Sequence, residues 1–128
     1  MTSVKQSINP PTLPTPGGSY SQVVRRANLV FVAGMVGRDI GRRLAGDDVR
    51  SQTRQALENV RAGLAAAGAA LDDVCSVTAF LEHADEDFAE YDEVYREFFP
   101  SDPPARATVQ AHLLGGVLVE IQAIAVLD

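Results

Sequence analysis

The sequence predicts an α+β fold in the order β-β-α-β-α-β-β, with both helices on one face of a sheet. Three observations carry that expectation. Two segments repeat apolar residues at helical spacing, and five shorter ones are rich in β-branched or aromatic residues. The 128 residues, 46% hydrophobic and 22% charged, have the length and composition of one domain with one core.

Residues 1–16 hold Pro10, Pro11, Pro14 and Pro16, four of the seven prolines, and read as an extended N-terminal arm that ends at Gly17-Gly18. Residues 17–128 then form the single domain. Tyr20–Val24 and Leu29–Ala33 are short strands joined by the polar turn Arg25-Arg26-Ala27-Asn28. Gly34–Gly46, with Gly34, Gly37, Gly41 and Gly46 among charged residues, reads as a loop. Asp47 or Asp48 caps the first helix, whose apolar or small face is Val49, Thr53, Ala56, Leu57, Val60, Leu64 and Ala67. Arg50, Arg54, Glu58 and Arg61 take the other face, and Gly68 ends the helix. Val74–Glu82 is a strand. Asp85-Glu86-Asp87 after it reads as a solvated acidic loop. Phe88, Tyr91, Tyr95 and Phe98 mark a second helix, stopped by Pro100, Pro103 and Pro104. Ala105–His112 and Val117–Val126 are the last strands, on either side of a Gly115-Gly116 turn.

Two helices cover only one face of such a sheet. The last strand is apolar on both sides apart from Glu120 and Gln122, so its second face predicts association of subunits through the sheet. Periodicity leaves the copy number open.

Charge and composition narrow the function. A net charge of −6 without a basic stripe argues against nucleic acid as an obligate partner. The lone Cys75 fits a reducing compartment and has no basic neighbour in sequence to activate it. No charged-then-apolar leader and no apolar run near twenty residues is visible, so a cytoplasmic protein without a membrane partner is expected. His83 and His112 have no zinc-like spacing, and Gly34-Met35-Val36-Gly37 lacks the Lys-Ser/Thr of a phosphate loop, so neither a zinc set nor a phosphate loop is expected.

Arg106 is the most informative residue. It sits in Pro104-Ala105-Arg106-Ala107-Thr108-Val109, and a guanidinium committed to an apolar sheet requires a partner. Either a ligand carboxylate binds its planar fork, or it pairs internally with Glu120 or an acidic helix residue. Thr108, Gln110 and His112 share its strand face. Glu120, between Val119 and Ile121, is either a buried proton shuttle with a raised pKa or half of an Arg–Glu pair. Tyr20 either presents its hydroxyl to a site or packs half-buried.

Several segments together resemble the Rid/YjgF family of small imine deaminases. They are Gly18-Ser19-Tyr20-Ser21-Gln22, Val30-Phe31-Val32-Ala33-Gly34, Gln52–Val60, Leu71-Asp72-Asp73-Val74, Tyr91–Phe99, Pro104–Val109 and Val119–Ala125. They span residues 17–126 in order. The resemblance implies a chorismate-mutase-like α+β fold, helices on one face of a mixed sheet, assembled as a homotrimer with sites between subunits. It implies cofactor-free and metal-free hydrolysis of 2-aminoacrylate-like enamine or imine acids to 2-keto acids and ammonia. Arg106 then matches the arginine that holds the substrate carboxylate and Glu120 the glutamate that positions water. Tyr20, Ala33, Gly34 and Thr108 match positions that line the pocket.

The chain also departs from the family pattern. Ser19 stands where proline is common, and Ala33-Gly34-Met35-Val36-Gly37 replaces Ser-Gly-Gln-Ile-Pro. Asp92 stands for Asn, Ala107 for Ser or Thr, and Gln122 for a second Glu. The loss of two polar groups at the pocket entrance favours a larger imine or enamine. An alternative of another class uses the same arginine pocket to bind or sense 2-keto acids without turnover. Binding alone needs Arg106; hydrolysis also needs Glu120. A ribonuclease reading is disfavoured by the acidic charge and the lack of a histidine pair.

Overall fold

The computed structural model describes residues 4–128. Its elements in chain order are β1 (Gln6–Ile8), β2 (Val23–Arg26), β3 (Leu29–Val36), α1 (Val49–Ala66), β4 (Val74–Leu81), α2 (Ala84–Phe98), β5 (Ala105–Gln110) and β6 (Val119–Val126). The strands form one mixed sheet in the order β1-β2-β3-β6-β4-β5, parallel only between β4 and β5. The expected α+β architecture is the observed one, with one strand more.

The extra strand lies in the N-terminal arm. Gln6-Ser7-Ile8 has no alternation to mark it, yet it pairs with Val23–Arg25 along the free edge of β2. Leu13 of the same arm is buried in the core. Residues 1–3 of the expected arm lie outside the described residues; residues 4–16 contribute this edge strand and pack on the core.

Element boundaries shift elsewhere for identifiable reasons. The first expected strand begins at Val23 instead of Tyr20 and continues through Arg25 and Arg26. The Arg25 Nη1 donates to the Ala67 carbonyl at 2.7 Å, which secures that arginine in the strand. Only Ala27 and Asn28 remain as the turn, with Ala27 at a φ of 53°. Positive φ at a two-residue turn matches the twist of the flanking strands. β3 runs on to Val36, so Gly34 is a strand residue and not the start of the loop. Its register against β6 shifts between Val32 and Met35, which places a bulge at Ala33-Gly34. Asp85, Glu86 and Asp87 form the first turn of α2 instead of a loop, and Arg96 lies in the last turn. Those charges complement the helix dipole.

α1 forms as its spacing dictates. Asp48 caps it by accepting from the Ser51 N–H at 3.0 Å. At its far end Gly68, at a φ of 81°, donates to Ala65 and is followed by a bond from Ala69 to Leu64. That pair of bonds closes the helix in a Schellman motif. Leu57, Val60 and Leu64 are buried against Val30, Val32 and Ile121 of the sheet. A Cβ at Gly63 would lie 3.2 Å from Val23 Cγ2, so the helix approaches the sheet closely there.

The face of the sheet away from the helices is left open. Leu29, Phe31, Val109 and Val126 are each exposed there to about two-fifths (38–42%). That is the uncovered apolar face expected from β6.

Candidate active site

Arg106 and Glu120 come from strands separated by β4, and their side chains lie on opposite faces of the sheet. Two strand spacings amount to roughly 10 Å. Glu120 alternates with the core residues Val119 and Ile121, whereas Arg106 contacts α2 on the helix side. One chain therefore does not bring the two residues together, and the internal Arg–Glu pair is absent.

Arg106 finds its partner on α2, as the acidic-helix alternative anticipated. Its Nη1 donates to Asp92 Oδ1 at 2.8 Å. The guanidinium lies 4.5 Å from the Tyr95 ring centroid and 5.4 Å from that of Tyr91. Such stacking over ring faces is favourable for a partly desolvated cation. Burial opposes the charge, but the hydrogen bond to Asp92 and the Asp92 charge, with the Tyr91 and Tyr95 hydroxyls alongside, outweigh it and raise the pKa. Asp92 also accepts from Arg96 at 3.0 Å, so one carboxylate serves two arginines. Thr108 lies two residues along β5. Its hydroxyl and those of Tyr91 and Tyr95 are buried, the Tyr91 hydroxyl facing Thr108 and Arg106 and the Tyr95 hydroxyl facing Arg106. Burial pushes the Tyr95 phenol up to about 12. These three buried hydroxyls surround the guanidinium with polar atoms. A cavity of about 340 Å³, lined by Asp92, Tyr95, Arg96, Phe99 and Arg106 among others, opens next to them.

The other four sequence-derived residues gather around the β3 bulge. Glu120 Oε2 rests against Gly34: a Cβ there would lie 2.5 Å from it. Burial raises the Glu120 pKa. Among the described residues the carboxylate has neither a hydrogen bond nor an ion pair. Ala33 is tied to the preceding segment by its N–H, which donates to the Gln22 carbonyl at 2.9 Å. Tyr20 is exposed in an irregular segment, and its hydroxyl accepts from the Gly17 N–H at 3.3 Å. Tyr20 and Gly34 line a common cavity of about 140 Å³ with Met35, Arg38, Arg42 and Asn59.

The six residues thus divide into two groups, candidate half-sites: Arg106 with Thr108, and Tyr20, Ala33, Gly34 with Glu120. Two buried amides hold the loop beside the second half. Gln52 Nε2 donates to Gly46 at 2.8 Å and its Oε1 accepts from Leu118 at 2.8 Å. Asn59 Nδ2 donates to Val36 and Arg38, each at 2.9 Å. Their signal in the sequence was polarity on the apolar side of a helix. Among the described residues no group of three or more His, Cys, Asp or Glu could hold a metal, and no helix is long and apolar enough to cross a membrane.

Residues 11–127 match the family model described as Endoribonuclease L-PSP. A RutC family protein of Pyrococcus horikoshii is 43% identical over 125 residues, covering 95% of this chain and 98% of that protein. A 2-iminobutanoate/2-iminopropanoate deaminase of Dermatophagoides farinae is 36% identical over 128 residues, covering 98% and 99%. The crystal structure of TdcF from E. coli with bound serine is similar at a TM-score of 0.90 and 34% identity, covering 96% and 99%.

Proposed function

The chain belongs to the Endoribonuclease L-PSP family, that of the YjgF and RidA proteins, and on that premise we propose that it hydrolyses 2-imino and 2-enamino acids to 2-keto acids and ammonia. The observation that carries this reading is the unpaired carboxylate of Glu120. It is partly buried in an apolar strand, against a glycine that leaves it room. A fold gains nothing in stability from such a group, which is what a proton-transfer site requires. The deaminase from Dermatophagoides supports the reaction class, and the TdcF complex with serine supports a small amino-acid-like ligand.

In the proposed mechanism Arg106 takes the substrate carboxylate through its fork, with the Thr108 hydroxyl beside it. Glu120 accepts a proton from water as the water oxygen bonds to the imine carbon and the C=N electron pair moves to nitrogen, to which Glu120 then passes that proton. The carbinolamine then collapses. Glu120 takes the hydroxyl proton as the C=O bond forms and gives it to nitrogen as the C–N bond breaks, so ammonia leaves and Glu120 is again a carboxylate. An enamine first takes a proton at its β-carbon and gives one up from nitrogen to become the imine. Water and imine together supply all the atoms of keto acid and ammonia. Orientation and proton transfer of this kind contribute about 10²–10⁴-fold, enough for a carbon that is already electrophilic.

Because the half-sites lie on opposite faces of the sheet, the proposal requires a second copy. Arg106 of one chain meets Glu120 of its neighbour in a homotrimer with three shared sites. The exposed Phe31, Leu29 and Val126 supply apolar surface for that assembly. The test is release of keto acid and ammonia from 2-aminoacrylate generated in situ, comparing the wild type with Arg106→Ala and Glu120→Ala. Loss in both supports hydrolysis. Keto-acid binding without turnover by the wild type would instead make this a ligand-binding assembly.

A further inference from the structure

The loop between β3 and α1 holds three arginines and three aspartates, in a chain whose net charge is −6. It carries Arg38, Arg42 and Arg43. Arg43 pairs with Asp39 at 3.5 Å. Arg38 and Arg42 have no acidic partner among the described residues. Arg38 donates from Nη1 to the Arg42 carbonyl and from Nη2 to the Gly115 carbonyl, both at 3.0 Å. Arg42 Nη2 donates to the Thr15 carbonyl at 2.6 Å and to its hydroxyl at 2.8 Å. Every acceptor is neutral. These bonds fix both guanidiniums in place without neutralising them, and a guanidinium with five N–H donors has capacity left.

Both arginines line the 140 Å³ cavity that Tyr20 and Gly34 also line, and Gly34 is the residue against which Glu120 rests. Arg42 moreover sits at a φ of 66°, a left-handed conformation that favours glycine. Loop tethering alone would be served by one hydrogen-bonding side chain. Two fixed, uncompensated forks in one recess make a site for an anion.

We propose that Arg38 and Arg42 form a second carboxylate subsite and that the substrates are dicarboxylic 2-imino acids. The 2-carboxylate binds Arg106 of the neighbouring chain, the imine carbon lies by Glu120, and the distal carboxylate reaches Arg38 and Arg42. This rests on the imine-hydrolase reading above and names its substrate class.

The experiment titrates 2-oxoglutarate and 2-oxobutanoate calorimetrically into the full-length, assembled protein at low salt. The wild type is expected to bind the dicarboxylate roughly tenfold or more tightly, the size of an added charge-assisted contact. The double variant Arg38→Gln, Arg42→Gln removes that preference and keeps 2-oxobutanoate affinity, while Arg43→Gln retains the preference. Equal affinity for the two acids in the wild type overturns the subsite, and this comparison needs no variant to fold. A preference that survives in the double variant also overturns it. Failure of the hydrolase reading is seen separately, as absence of ammonia release from both 2-iminopropanoate and 2-iminoglutarate, because the titration involves no turnover.

Discussion

Asp92 holds Arg106 by a 2.8 Å hydrogen bond from Nη1 to Oδ1, on the face of the sheet opposite Glu120. The guanidinium proposed to take a substrate carboxylate thus already carries an internal one. Asp92→Asn keeps a neutral acceptor but removes the competing charge. Affinity for 2-oxobutanoate should then rise several-fold, measured by calorimetry. Thermal stability should fall by about 1 kcal/mol, because the pair is only partly buried. Unchanged affinity would mean that Asp92 does not limit access to the guanidinium.

Gly34 separates the requirements of stability from those of the site. A Cβ at this position would meet Glu120 Oε2 at 2.5 Å, and the far end of a side chain moves at little cost. Gly34→Ala should therefore shift the melting temperature by only a few degrees. By displacing Glu120 it should lower kcat/KM by roughly tenfold to a hundredfold. Wild-type turnover in this variant would show that the Glu120 position is not critical.

Glu120 also sets a pH dependence. Burial raises its pKa above the ordinary 4.5, so the fold favours the neutral form. The associated stability is fully present below about pH 4.5 and is lost as pH rises through the folded value. Activity runs the other way, because the proposed mechanism uses the carboxylate as base. The rate of imine hydrolysis, corrected for the uncatalysed reaction, should rise with pH through an apparent pKa above 4.5. In Glu120→Gln that inflection should vanish along with most of the rate.

The open sheet face makes assembly testable at one residue. Phe31 is 40% exposed there, paired in register with Val24 and Ile124. Phe31→Asp places a charge in the proposed contact and should yield a folded monomer in sedimentation velocity. Because the half-sites are then apart, that monomer should also be inactive. A monomer with full activity would contradict a shared site.

What the sequence made legible was local. The α1 spacing, its Asp48 cap and its Gly68 stop are written within a few residues of one another, and the structure has all three. So was the alternation that put Arg106 and Thr108 on one strand face. β1 was not legible, because Gln6-Ser7-Ile8 carries no pattern and becomes a strand only where the β2 edge accepts it. The Arg106 partner was visible only as a class. Asp92 is 14 residues away across a helix, and which acid meets which base depends on packing and register, not on periodicity. Arg38 and Arg42 looked like part of a polar loop. Only their enclosure with Tyr20 and Gly34 distinguishes them.

The shared site is tested most directly by complementation. Arg106→Ala and Glu120→Ala chains, each inactive alone, are unfolded together, refolded at equal concentration and checked for mixed oligomers by native mass spectrometry. If Arg106 of one chain works with Glu120 of the next, about one site in four regains both residues by random assembly. Roughly a quarter of the wild-type imine hydrolysis should return. Mixed oligomers with no recovered activity would contradict the shared site.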